Sequence, residues 1–324
     1  MPLTDRLARK NFLVIGRAGL DLYPDPPGTR TEDATHFVSA LGGSSANMAV
    51  ALVRQGMKVA LLTRVSDDAV GRFCLNQLDR YGIDRTHVTP VGGEWRNSLA
   101  LAETRTENHQ SVIYRNGAAD FQMSMADVEA VDYGRFGALI MTGTALAAEP
   151  SRGAVFRAME LAQRTGVALI FDVDYRPYSW PSVQVAAESY SRAAAQCDVI
   201  VGNDEEFGFM AGEHYKGLAK AKSLLAEKAV IVVYKMGSNG AITMTRDGKF
   251  RTGVYKTHAL KPTGAGDSFM GGLLAGLANG RPLRECVLRG SASAAIVVSR
   301  VGCAPAMPTT EELDAFMALQ SEPL

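Results

Sequence analysis

The sequence predicts an α/β fold: a doubly wound, mostly parallel sheet flanked by helices, with a small β-sheet lid. Three observations carry that expectation. Short apolar runs of strand length alternate with segments whose apolar residues recur at helical spacing, the rhythm of a parallel sheet with crossover helices. Glycine-rich turns, as at Gly42-Gly43 and Gly264-Ala265-Gly266, open helices directly. Between Trp95 and Arg115 the rhythm breaks into two short strands around a polar turn, a piece set apart from the main sheet.

In chain order, Phe12-Leu13-Val14-Ile15 is an apolar run stopped by Gly16 and reads as a buried first strand. Arg17 to Tyr23 follows, then a loop containing prolines and glycine, and a polar strand is expected at Thr35 to Ala40. Leu41-Gly42-Gly43 opens a helix carrying Ala46, Ala49, Val50 and Val53, with Ser44 or Ser45 as its natural N-cap. A strand (Lys58 to Thr63) and a helix (Val70 to Tyr81) come next, and Gly82 stops the helix. The interrupting strands are Ser98 to Thr104 and Gln110 to Tyr114. Together with the region after Asp21 they are expected to form a flap over a site, so the lid is assigned to residues 17–40 and 95–117. Alternation then resumes, with strands at Ala138 to Thr142, Val167 to Val173, Asp198 to Val201 and Ala229 to Tyr234. The helices between them run Arg152 to Arg164, Val183 to Ala195, Glu205 to Ala211 and Leu218 to Glu227. A hairpin, Ala241 to Thr245 with Lys249 to Tyr255, turns at Asp247-Gly248. Helices at Asp267 to Asn279, Leu283 to Ser299 and Thr310 to Leu319 close the chain. Repeats and linkers are absent, so residues 1–324 are expected to form a single domain that binds ligands at the carboxyl ends of its strands.

Bulk properties narrow the function. Lys+Arg and Asp+Glu both number 34, so no global field recruits nucleic acid or an anionic membrane. Attraction for a phosphorylated ligand must be local. The four cysteines are scattered without a C-x-x-C pair and read as buried thiols in a reducing compartment. The charged N-terminus has no apolar signal core, and no run approaches the ~18 apolar residues of a membrane span, so a cytoplasmic location is expected. G-x-x-x-x-G-K-[ST] is absent. So is G-x-G-x-x-G after the first strand, which disfavours a dinucleotide-dependent dehydrogenase.

The most informative stretch is Lys261-Pro262-Thr263-Gly264-Ala265-Gly266-Asp267, which leads into Phe269, Met270, Leu273, Leu274 and Leu277 at helical spacing. A glycine turn at the positive end of a helix is an anion site suited to phosphate. Asp267 stands at that same helix start. It reads either as a general base for phosphoryl transfer to a hydroxyl or as the N-cap of the helix.

G-A-G-D opening a Gly-rich helix near the C-terminus resembles the second signature of the ribokinase-like (PfkB) carbohydrate kinases, and other motifs follow in the family's order. Gly42-Gly43 with Asn47 is similar to its first signature, Asp21 to its acid after the first strand, Asn203 and Glu206 to its N-x-x-E, and Lys235, Gly237 and Gly240 to its K-x-G-x-x-G loop. The resemblance implies a ribokinase-like fold and an ATP- and Mg²⁺-dependent kinase. Asp267 would be the base, and Gly264, Ala265 and Gly266 the anion hole. Asp21, Gly42, Gly43 and Asn47 would hold the sugar, the glycines by letting it approach the backbone. Asn203, Lys235, Gly237 and Gly240 would bind nucleotide, and Glu206 would serve the metal through its waters. Each motif alone also has a plain structural reading as a cap or turn.

Asp172-Val173-Asp174-Tyr175-Arg176 with Trp180 is similar to the D-x-[DN]-x-R-x-x-x-W stretch of family members acting on sugar acids, and Tyr114-Arg115-Asn116 resembles another segment of theirs. Arg115 and Arg176 are thereby implied to hold a substrate carboxylate, for which a guanidinium is suited. The expected partners are therefore a small sugar acid and ATP, with no nucleic acid or membrane. An exposed lid edge invites a homodimer. A catalytically silent sugar-acid sensor is the reading from another class, disfavoured by the retained Asp267. Many relatives carry Asp-Thr-Thr before G-A-G-D, where the Asp helps hold a monovalent cation. Lys261 stands there instead, so activity is expected not to depend on potassium.

Overall fold

A computed structural model describes residues 1–323. Leu324, the last residue of the expected domain, lies outside the described residues, as does the side chain of Tyr178. The strands are β1 (Asn11–Ile15), β2 (Gly19–Asp25), β3 (His36–Gly42), β4 (Lys58–Ser66), β5 (Asp84–Val91), β6 (Leu99–Ala102) and β7 (Ser111–Tyr114). They continue as β8 (Ala138–Thr142), β9 (Ala168–Asp172), β10 (Val199–Asn203), β11 (Ile231–Lys235), β12 (Ala241–Met244) and β13 (Lys249–Thr252).

Nine strands form the main sheet in the order β13-β12-β11-β10-β9-β8-β1-β4-β5. Every pair from β11 across to β5 is parallel, and β12 and β13 add an antiparallel edge. The central strands read as continuous apolar runs because both faces are covered: β8 and β9 are buried along their whole length. One layer is built from helices Ser44–Arg54, Ala265–Ala278 and Leu283–Val298, the other from Ser151–Arg164 and Val183–Ala194. All four cysteines are buried and free, and among the described residues no helix is long and apolar enough to cross a membrane.

The second sheet has four strands in the order β3-β2-β6-β7, and it is the lid. The sequence pattern predicts no strand at β2, between the first strand and a loop. β2 pairs antiparallel with β3 and parallel with β6, so tertiary partners, rather than local alternation, make it a strand. β5 also went unread. It is an edge strand with a mostly exposed sequence containing Pro90, and its pairing with β4 shifts register between Ala60 and Leu62. The helix after Gly42 corrects the expected cap. Its N-cap is Gly43 at φ 91, with no side-chain capping bond, and Ser45 sits inside the helix with Oγ donating to the Ile15 carbonyl.

Candidate active site

The helix Ala265–Ala278 begins at Gly264, whose φ of 82 lies in the left-handed region. A Cβ there would also lie 3.0 Å from Cys303 Sγ, so Gly264 is demanded by the backbone itself. Asp267 is the third residue of the helix and therefore not its N-cap. Its carboxylate Oδ2 accepts a 2.9 Å hydrogen bond from Asn47 Nδ2 on the helix Ser44–Arg54. Asn47 Oδ1 is buried without a partner, which leaves an acceptor for a ligand hydroxyl. Burial and the charge of Asp174 push the Asp267 carboxyl up to about 7, against the pull of Asn47, Arg176 and Arg17. A carboxylate tuned to neutral pH is matched to work as a general base. The first N–H groups of the helix have no intrahelical partner and sit at its positive end. A Cβ added at Gly266 would meet only Lys235 Nζ, at 3.5 Å. That contact places the Lys235 ammonium beside the helix start, where it adds positive charge to the N–H groups.

The Gly-Gly turn also has a steric reason within the protein itself. A Cβ on Gly42 would lie 1.8 Å from Asp21 Oδ1, and one on Gly43 would lie 2.7 Å from the Arg17 carbonyl oxygen. The glycines thus seat Asp21 and Arg17 against the turn. Asp21 is buried and accepts a 2.9 Å bond from the Tyr23 hydroxyl. Burial raises its carboxyl above the usual range, although Tyr23, Arg17 and Lys261 oppose the shift.

Three arginines approach this floor. Arg115 is 6% exposed, ion-paired to Asp120 at 2.5 Å, bonded to the Thr144 carbonyl at 3.1 Å and stacked over Phe121. Arg176 is half-exposed and pairs with Asp174 at 2.8 Å. Arg17 was missed in the sequence. Its position directly after Ile15-Gly16, at the end of a buried strand, was the available signal. In the sequence Asp172 and Asp174 stand out only as motif positions. Asp174 is held at φ 38, a left-handed conformation that a non-glycine residue adopts at a cost and that recurs at functional sites. Burial would raise its carboxyl, but Arg176 and Arg17 outweigh burial and hold it low.

Where nucleotide is expected, Asn203 and Glu206 form a capping box at the helix Asp204–Met210. Glu206 accepts from Asn203 N at 2.7 Å and from Tyr175 N at 3.2 Å, so both carboxylate oxygens already serve the backbone. Lys235 ends β11, and the turn after it has Gly237 at φ 53 and Gly240 at φ 81. A Cβ on Gly240 would lie 1.9 Å from the Thr252 carbonyl oxygen, whereas Gly237 faces open space. Burial raises the carboxyls of Asp172 and Glu206. Lys235 opposes both shifts, while Asp174 reinforces them and Asp267 adds to that of Asp172. Such a gathering of buried acids is relieved by a cation. Carboxylates in this setting suit an ion that keeps much of its water, and among the described residues no three His, Cys, Asp or Glu side chains form a metal cage.

Lys261 is fully buried, and its ammonium donates to the carbonyls of Thr263 at 2.7 Å and Val297 at 3.2 Å. A tethered cation thereby ties the loop before the anion hole to the end of the helix Leu283–Val298. Equal rates are expected in potassium chloride and in tetramethylammonium chloride at matched ionic strength; saturable potassium activation would contradict this. Lys261→Met should lower Tm, because each buried carbonyl left without a donor costs about 1–3 kcal/mol.

The sequence profile of the pfkB family carbohydrate kinases matches residues 9–310. The chain belongs to that family, and it is a phosphotransferase acting on a sugar hydroxyl. Its curated relatives include the 5-dehydro-2-deoxygluconokinase of Geobacillus thermodenitrificans, 37% identical over 312 residues, which cover 95% of this chain and 93% of that one. The protein of that name from Photobacterium profundum is 38% identical over 317 residues, 96% of each chain. Among solved structures, a PfkB protein from Polaromonas sp. matches at TM-score 0.80 and 27% identity, covering 94% of this chain and 99% of that one. A fructokinase from Vibrio cholerae, solved with fructose, ADP and potassium ion, matches at TM-score 0.82 and 25% identity over 95% of this chain and 98% of its own.

Proposed function

We propose that the protein transfers a phosphoryl group from ATP to the 6-hydroxyl of 5-dehydro-2-deoxy-D-gluconate, a step in myo-inositol catabolism. The substrate is the one named in relatives 37–38% identical over nearly the whole chain. The observation that carries the chemistry is the Asp267 carboxylate, tuned to about 7 and oriented by Asn47 at a helix start that can receive an anion.

Asp267 takes the proton of the attacking hydroxyl as the hydroxyl oxygen bonds to the γ-phosphorus of ATP, and the bond from that phosphorus to the β,γ-bridging oxygen breaks to release ADP. The N–H groups of Ala265, Gly266 and Asp267, with the Lys235 ammonium, stabilise charge on the transferred group. Asp21 and Asn47 Oδ1 accept hydrogen bonds from sugar hydroxyls, and Arg115 and Arg176 border the acid end. Asn203 and the turn from Gly237 to Gly240 bind the nucleotide. Mg²⁺ would neutralise phosphate charge when bound, with Glu206 and Asp172 holding its waters. Residues 1–324 act as one kinase domain under a lid of residues 17–40 and 95–117. Phe37, Val38, Val112 and Tyr114 are exposed on the lid and would pair it with a second copy.

The test is a panel of sugar acids and neutral sugars with ATP and Mg²⁺, with product phosphate located by NMR. Rapid 6-phosphorylation of 5-dehydro-2-deoxy-D-gluconate is expected. Preference for 2-dehydro-3-deoxygluconate or a neutral sugar would reassign the substrate, and binding without turnover would mark a sensor.

A further inference from the structure

Arg17 leaves the end of β1 and is 8% exposed, yet its guanidinium makes no hydrogen bond or ion pair with any described residue. Its Nε is buried without a partner. A buried, unpaired guanidinium is strongly unfavourable unless something else supplies the counter-charge. Its place is also held deliberately: the missing Cβ of Gly43 leaves room for the Arg17 backbone and for Cγ, which would otherwise lie 3.0 Å from that Cβ. The charged groups around it are Asp21, Asp174, Asp267 and Arg115. Asp174 is ion-paired with Arg176, and Asp267 is bonded to Asn47. Asp21 is bonded to Tyr23, and Arg115 has its terminal nitrogens on Asp120 and the Thr144 carbonyl. Of the three arginines, Arg17 alone keeps its whole donor set for a ligand.

We infer that Arg17 is the principal guanidinium binding the carboxylate of the sugar acid, an inference that rests on the sugar-acid reading above. Arg115 then shapes the pocket wall, and Arg176 stands at its mouth. Position separates this anion from the nucleotide's phosphates. β1 lies three strands from β10 in the sheet, about 14 Å at ordinary strand spacing, and four from β11, whose ends carry the nucleotide residues. Arg17 also adjoins Asp21 and the Gly-Gly turn, on the sugar side.

The experiment compares full-length wild type, Arg17→Met and Arg17→Lys on 5-dehydro-2-deoxy-D-gluconate and on its uncharged carboxamide, with KM for ATP measured in parallel. Loss of a charge-assisted bond should lower kcat/KM for the acid roughly ten- to a hundredfold in Arg17→Met, mainly through KM. The carboxamide should be affected far less, and ATP should keep its KM. Arg17→Lys should restore part of the acid's advantage, since it keeps the charge without the two-pronged geometry. Equal losses on acid and carboxamide, a rise confined to KM for ATP, or failure of both variants to fold would overturn the assignment. The wild-type arm tests the underlying reading separately. A wild type that shows no preference for the acid would defeat the sugar-acid substrate itself, and Arg17's role with it.

Discussion

Asp267→Asn is expected to lower kcat by about 10²–10⁴-fold, with a much smaller change in substrate affinity. The amide is nearly the same size and can still bond to Asn47, so what is lost is the proton acceptor. The pH profile carries the same information. Because the carboxyl titrates at about 7 and acts as a base only when ionised, kcat/KM should rise with pH through about 7 and level above it. In Asp267→Asn that limb should vanish from the residual rate. Stability should move the other way. The folded-state value lies above the ordinary carboxyl value of 3.8, so between roughly pH 4 and 7 the folded state binds more protons than the unfolded chain, and stability falls as pH rises. Asp267→Asn should therefore melt higher than wild type at pH 8, with the difference closing as the pH falls toward 4. Near-normal kcat with an unchanged profile would leave Asp267 no part in the chemistry.

Gly266→Val should lower kcat by about 10²–10³-fold, the usual effect of losing one donor from an anion hole. The fold should survive, because a Cβ at Gly266 contacts only Lys235 Nζ at an ordinary 3.5 Å. The valine would fill the gap in which the phosphoryl group approaches the helix start. Gly264→Val provides the contrast. There the φ of 82 and the 3.0 Å approach to Cys303 Sγ should make the damage visible in Tm as well as in rate. Full turnover in a folded Gly266→Val protein would move the phosphate elsewhere.

How much was legible follows from which interactions are local. The apolar runs of β8 and β9 announce themselves because a doubly covered parallel strand must be apolar throughout, and their observed limits lie within one residue of those expected. The glycine turn before Asp267 was equally plain, since only glycine readily takes the left-handed conformation at residue 264. β2 and β5 were not, because one is made by partners far along the chain and the other is a mostly exposed edge. Roles within the site divide the same way. The sequence by itself determined the alternating α/β plan, the glycine-opened helix start and the acid beside it, each being a property of a few consecutive residues. Only the tertiary structure decided that Asn47 holds Asp267 across 220 positions, that Gly42 and Gly43 make room for Asp21 and Arg17, and that Lys261 is a buried cation on two carbonyls. It also decided which arginine is left with its hydrogen-bond donors unpaired among the described residues. Pairing of buried charges depends on which strand ends the fold brings together, and no local pattern encodes that.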